Sequence, residues 1–386
     1  MTGLTGTGPF RAQTIELFFD LVFVFTITQI THLVEHAHGA VDYLYALAVL
    51  TLIWWMYGGY IWLTNHAHTP RSMRVVLVAA MAGFLVMALA VPESSGEGRL
   101  VFGLAYLAIV LLHFGAFCWQ GGKPAAHAML RILPFNIAAA ALVIVSGMME
   151  SNWSWLLLLS PAALYIIVST FNTGEGFALD AGHFVERHGL LLIIVLGEII
   201  IAVGSGFGFV PIHASDFAVL LLSVALVAAL WWSYFDRDDE AAEHRMLEAD
   251  NRRRTRIALF GFNGAHLFMI AGLILVAAGL KAGIGAFLSI DGAGHGEPVA
   301  HGTEVVLLYG LSLYLAADAT FRAILRLDVV WTRLIAAAVC LALALLVPSL
   351  HGLLLLGLSL ALLLVMLAFE AIRPSHSATR GETSRA

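Results

Sequence analysis

Apolar residues run through this chain in blocks of about twenty, the length a helix needs to cross the hydrocarbon core of a bilayer. Charged residues, prolines or glycine clusters separate the blocks. Twelve spans are predicted, over residues 14–35, 42–64, 73–92, 100–119, 130–149, 153–171, 186–206, 214–235, 256–279, 304–322, 329–348 and 351–370. Periodicity alone does not separate such spans from long buried helices of a soluble protein, but their number and length do. Twelve helices of this kind in one water-soluble domain would lie far outside the usual distribution. The fold class expected is an all-α polytopic membrane protein with about 12 transmembrane helices.

Composition agrees with that pattern. Of 386 residues, 60% are hydrophobic and 12% charged, and the mean hydropathy is +0.89, unlike any ordinary soluble domain. The net charge of −6 says less than its distribution. With twelve spans, 18 of the 20 Lys and Arg residues fall on the side of the N-terminus, and only Arg99 and Lys281 on the other. Basic residues mark the cytoplasmic side, so both termini are expected there, and an even number of spans is required. The first apolar run carries Glu16 and Asp20 and is followed by no small-residue cleavage site, so it is expected to remain a membrane helix. Cys118 and Cys340 fall inside apolar runs and read as small core residues.

The chain also repeats itself. Span 1 opens with Glu16 and span 7 with Glu186; the second helix of each half ends in a related pattern, Trp54-Trp55-Met56-Tyr57 and Trp231-Trp232-Ser233-Tyr234. The expected organisation is a 6+6 parallel internal repeat, with the halves related by an axis along the membrane normal. A cytoplasmic N-terminus (1–13) precedes the first six-helix half (14–171). A cytoplasmic linker (172–185) leads to the second half (186–370), and a polar tail (371–386) closes the chain. Asp236 to Arg256 reads as a charged helix with a basic end, and Lys281 to Thr303, rich in Gly and His, as a flexible loop.

Chemistry is sought where ionisable groups enter apolar runs, because each must face protein or water and find a partner. The stretch from His183 to Gly204 brings Glu186, Arg187 and Glu198 into one span. Glu186 and Glu198 are twelve residues apart, roughly 18 Å along a helix. Glu198 follows Gly197, where a neighbouring backbone is expected to approach closely. Burial penalises its charge, which suits a proton or cation site; alternatively it bonds as a neutral acid to His266, Asn263 or Gln29. Glu16 and Asp20 are i and i+4 and share a helix face. They either share a proton or pair with Arg11, Arg187 or another arginine. His266 with Asn263, and His113, are the imidazole positions at membrane depth, and Asp318 with Arg322 reads as an i, i+4 pair on span 10.

His32-Leu33-Val34-Glu35-His36 matches the inverted zinc-peptidase pattern, but a short pattern arises easily in a chain with 16 His. His32, Glu35 and His36 are retained as weak external metal candidates. Gly204 to Gly208 ends a membrane helix instead of following a strand, so it fails as a phosphate loop. Neither a cofactor nor a nucleic-acid partner is called for; the bilayer and an unidentified small solute or ion are the expected partners.

Glu16-Leu17-Phe18-Phe19-Asp20-Leu21-Val22-Phe23-Val24-Phe25 resembles the opening signature of the bacterial low-temperature-requirement A (LtrA) family. Glu186-Arg187-His188-Gly189-Leu190 through Leu196-Gly197-Glu198 is similar to its second signature, and His266-Leu267 to a later helix. The resemblance implies an integral membrane protein of the bacterial inner membrane linked by name to growth in the cold, with no established substrate or reaction. Carboxylates in two corresponding helices, together with the internal repeat, make a proton- or cation-coupled secondary transporter the leading expectation. Its site residues would be Glu198, Asp20, Glu16, Glu186 and Arg187 as a gate pair, and His266, Asn263 and Gln29. The alternatives are a membrane-embedded enzyme or redox component acting on a lipid-soluble substrate, or a structural or sensory membrane protein.

Overall fold

The computed structural model describes residues 12–66, 71–91, 97–149, 153–171, 177, 179–207, 216–290, 305–327, 329–346 and 352–372. It is 93% helical and has no strand among the described residues. The first helices are α1 (Thr14–Glu35), α2 (Ala40–His66), α3 (Arg71–Ala90), α4 (Glu97–Gln120) and α5 (Gly122–Met148). They are followed by α6 (Ser154–Leu159), α7 (Pro161–Phe171), α8 (Ala181–Phe207), α9 (Asp216–Phe235) and α10 (Asp238–Glu248). Next, α11 (Asn251–Arg256) continues through a π-helical segment (Ile257–Ala265) into α12 (His266–Ile290). Three helices complete the set: α13 (Val306–Leu325), α14 (Trp331–Leu346) and α15 (Gly352–Ile372).

Ten helices among the described residues are long and apolar enough to cross a membrane. The two predicted spans below that standard are 304–322 and 329–348. The first falls on α13, whose interior carries Asp318 and Arg322, and the second on α14, which has only 16 residues. Several boundaries also move. α8 begins at Ala181, five residues before the predicted span, because Asp180 Oδ1 accepts the N–H of His183 at 2.9 Å as an N-cap. The apolar run of 153–171 breaks at Ser160, ahead of Pro161. The expected flexible loop from Lys281 is helical as far as Ile290; its residues 291–303 lie outside the described residues.

Polarity is inside out, as a hydrocarbon solvent requires. On α1 the buried positions include Glu16, Phe19, Asp20, Phe23, Ile27 and Ile30, a 3.6-residue stripe, whereas Leu17, Phe18 and Leu21 are exposed. The helix thus hides its carboxylates and presents its leucines. Cys118, expected in a core, is exposed on α4, while Cys340 is buried.

The chain forms two compact units. The first comprises residues 1–29, 47–191 and 242–256, and within it α4 packs against both α3 and α5. A Cβ on Gly147 would sit 2.7 Å from the Leu100 backbone nitrogen, so the α4–α5 crossing depends on that position having no side chain. The second comprises residues 30–46, 192–241 and 257–386. Here α13 packs against α12, α14 and the π segment, and α9 against α15. Gly272, Gly279 and Gly310 bring α12 and α13 backbone to backbone: a Cβ on Gly272 would lie 2.6 Å from Tyr314 N, and one on Gly279 would collide with Leu307 N.

Candidate functional site

The first unit contains a ladder of two ionic rungs between α1 and α8. Arg187 donates to both carboxylate oxygens of Asp20, from Nη1 and Nη2, each at 2.7 Å. One turn nearer the N-termini, His183 Nε2 lies 3.0 Å from Glu16 Oε2. Acids at i and i+4 on one helix therefore meet cationic or imidazole groups at i and i+4 on the other, both pairs in the same chain direction. All four residues are at most 1% exposed.

Surrounding bonds fix the protonation pattern. The Asp180 amide donates to Asn65 Oδ1 at 2.8 Å, and Asn65 Nδ2 donates to the Asp180 carbonyl at 2.9 Å. A backbone N–H only donates and a carbonyl only accepts, so the orientation of the Asn65 amide is set. Its Nδ2, 3.1 Å from His183 Nδ1, makes that ring nitrogen an acceptor. His183 then carries its proton on Nε2, donates it to Glu16 and is neutral. Glu16 accepts as a carboxylate, helped by the Gln13 N–H at 2.8 Å. Two carboxylates thus face one guanidinium in this cluster.

Two of its polar atoms have no hydrogen-bond partner: Glu16 Oε1 and Arg187 Nε, one acceptor and one donor, both buried. Tyr57, the last residue of the first Trp-Trp pattern, donates its hydroxyl to Asp20 Oδ1. Its ring lies against Phe19 and Phe23, at 5.1 and 4.6 Å between centroids. Trp54, three residues earlier, meets His188 edge-on at 5.9 Å.

A second charged cluster lies in the second unit. Arg333 on α14 uses every nitrogen: Nε to Glu370 Oε1 at 3.2 Å, Nη1 to Asp238 Oδ2 at 3.2 Å and to Asp318 Oδ2, and Nη2 to the Ser233 carbonyl at 2.6 Å. Arg322 holds Asp238 with two bonds of 2.7 and 2.8 Å. Nearby, Tyr234 and His266 Nε2 are 3.0 Å apart, and His266 Nδ1 donates to the Gly261 carbonyl in the π segment at 3.2 Å. Asn263 is buried in that segment.

The expected residues are therefore only partly brought together. Glu16, Asp20 and Arg187 meet. Glu186 does not pair with Arg187 as a gate; it is half-buried and accepts the Ala12 N–H at 3.0 Å, because Asp20 takes both guanidinium ends. Glu16 and Asp20 each bond their own partner on α8, His183 and Arg187. Asp318 and Arg322 reach Arg333 and Asp238 instead of each other. Glu198 is buried on α8, but a Cβ on Gly197 would meet nothing within 4 Å, so the close backbone approach expected there is absent. Gln29 is half-buried on α1. At the weak metal candidates, Glu35 Oε2 takes Lys281 Nζ at 2.7 Å and His36 Nδ1 bonds the His32 carbonyl. Among the described residues no three His, Cys, Asp or Glu side chains gather as a metal site; His213, His295, His301 and His351 lie outside them.

His183, Asn65, Asp238, Arg333 and Glu370 were not singled out from sequence. For His183 a signal existed: His183 and Arg187 repeat the spacing of Glu16 and Asp20. These features define an integral membrane protein whose helices turn their ionisable side chains inward and their leucines outward. The chain belongs to the bacterial low temperature requirement A protein family, whose model matches residues 11–369. It is also 26% identical, over 287 residues, to an uncharacterised protein of Rhizobium meliloti (strain 1021); the match covers 71% of this chain and 69% of that protein. No solved structure matches the chain.

Proposed function

We propose that this protein is a secondary transporter of the bacterial inner membrane, coupled to protons or small cations, with twelve spans in two six-helix halves and both termini cytoplasmic. The observation that carries the reading is the buried Glu16 carboxylate, whose Oε1 has no hydrogen-bond partner and whose neighbouring His183 is held neutral. A carboxylate removed from water without full compensation is costly, and taking up a proton or cation relieves that cost. The uncommitted Arg187 Nε beside it supplies a donor, so a small polar solute would find both an acceptor and a donor there.

In this mechanism the Asp20–Arg187 pair is the gate. Filling Glu16 removes the excess negative charge next to Arg187, which weakens the hold on the α8 end of the pair and lets α1 and α8 shift. Within the second unit, Glu198 on α8 is a further candidate carboxylate, and Asn263 and His266 lie in and just after the π segment, where a helix can yield. Ten helices among the described residues are long and apolar enough to cross a membrane, and a count of twelve requires α13 and α14 to cross as well; the strong asymmetry of Lys and Arg supports the orientation.

The test is an imposed pH gradient across proteoliposomes, scanned against small cations and metabolites. Wild type is expected to dissipate the gradient only with its substrate, and Glu16→Gln to lose that response while remaining folded. Loss in Glu198→Gln but not in Glu16→Gln would move the coupling site from α1 to Glu198 on α8. Absence of flux in folded wild type with every solute would refute transport.

A further inference from the structure

The charged cluster of the second unit contains more acid than base. Among the described residues, Asp238, Asp318 and Glu370 face Arg322 and Arg333, three carboxylates against two guanidinium groups. Asp318 is fully buried and the side chain of Asp238 is 3% exposed. The elements packed around the cluster do not offset that excess. α9 contributes the Ser233 carbonyl and, through Ser233 Oγ, the hydroxyl of Tyr314 at 2.9 Å. The start of α10 adds Asp239, another acid, and the π segment and α12 contribute His266, whose Nδ1 proton is already given to Gly261. The cation nearest on α13 outside the cluster, Arg326, is on the exposed C-cap.

The excess converges on one atom. Asp318 Oδ2 accepts from Arg333, but Oδ1 is buried and has no hydrogen-bond partner. Tyr314, Asp318 and Arg322 are spaced by four on α13, so this oxygen belongs to the face that holds the whole cluster. Buried charge is tolerated when paired and fully hydrogen-bonded, and this carboxylate is paired through Oδ2 but not fully hydrogen-bonded.

We propose that Asp318 Oδ1 is the binding atom of a second small-cation site, taking a proton or Na+, separate from the cluster of Glu16, Asp20 and Arg187. A proton would form an O–H bond at Oδ1 and leave Oδ2 accepting from Arg333. Na+ would coordinate Oδ1 directly. Either ligand brings three acids and two bases to neutrality. Under the transport reading, which only this consequence rests on, each turnover would carry two cations.

A ligand that binds only the folded protein stabilises it, so thermal unfolding in detergent tests the site without any transport. Wild type, Asp318→Asn and Glu370→Gln are compared in NaCl against choline chloride, and across a series of decreasing pH. Each variant removes one negative charge from the cluster. Glu370 is at its edge and is the safer of the two for folding. If the site takes Na+, wild type melts higher in NaCl and both variants lose that gain. If it takes a proton, wild type is indifferent to Na+ but rises on acidification by more than either variant. Should Asp318→Asn fail to fold, Glu370→Gln alone decides. Equal responses in wild type and folded variants, or no response in any, would overturn the proposal.

Discussion

Asp20 and Arg187 exchange two short hydrogen bonds where neither group can reach water, so each depends on the other for its charge. Removing one partner leaves the other buried and uncompensated, which costs roughly 3–5 kcal/mol. Asp20→Asn and Arg187→Gln should each lower stability by about that amount, and the double variant should cost clearly less than the two singles combined. Thermal unfolding of the four proteins in one detergent measures this; additive losses would mean that the bond is not what holds the pair. Sequence reading located both residues, because charge in an apolar run is conspicuous. It offered Arg187 as one possible partner for Asp20 but also paired it with Glu186 as a gate, because neighbours along a chain are easily mistaken for neighbours in space. The same error joined Asp318 to Arg322: side chains four apart on one helix interact weakly, and here both reach other helices. Asn65 was invisible, since its role depends on two backbone groups of Asp180 that no pattern in the sequence displays.

At the scale of helices, packing is decided by where side chains are missing. α12 and α13 touch along Gly272, Gly279 and Gly310, where any added carbon meets backbone, while Gly197 on α8 has open space around it. Gly272→Ala and Gly279→Ala should therefore be poorly folded or strongly destabilised, because backbone cannot retreat as a flexible side chain can. Gly197→Ala should fold normally and gain up to about 1 kcal/mol from the better helix propensity of Ala. Folded yield and melting temperature distinguish them, and a well-tolerated Gly279→Ala would show that the two helices can separate. Helix existence was legible from apolar run length, and most predicted spans coincide with a helix. Ends were less so: the start of α8 depends on the Asp180 cap, which lies before the apolar run. The π segment was not legible at all, since Ile257–Ala265 reads as ordinary apolar helix and only its packing against α13 accompanies the wider turn. The basic run before it was read only as the end of a charged helix. Arg254 instead turns inward and donates to the carbonyls of Met246 and Ala249 at 2.9 and 3.3 Å, closing the end of α10.

For the whole molecule, composition alone was enough to place the chain in a membrane, because an ordinary water-soluble domain is not 60% hydrophobic with only 12% charged residues. What composition could not give was the partition into two units that interleave along the sequence, since α1, α2 and α8 each contribute to both. That partition depends on which helix faces meet. The inside-out arrangement also sets how the protein responds to its solution. Mobile ions screen charges over about 8 Å at physiological salt, but only where water carries them. The rungs at Asp20 and Glu16 and the cluster around Arg333 lie beyond that ionic atmosphere; the exposed pairs, Arg237 with Asp236 and Arg245 with Glu248, are within it and contribute little. Raising choline chloride from low to high concentration should therefore leave the melting temperature nearly unchanged. A marked fall would mean that water and its ions reach the charges, and that the interior is an aqueous channel rather than a sealed one.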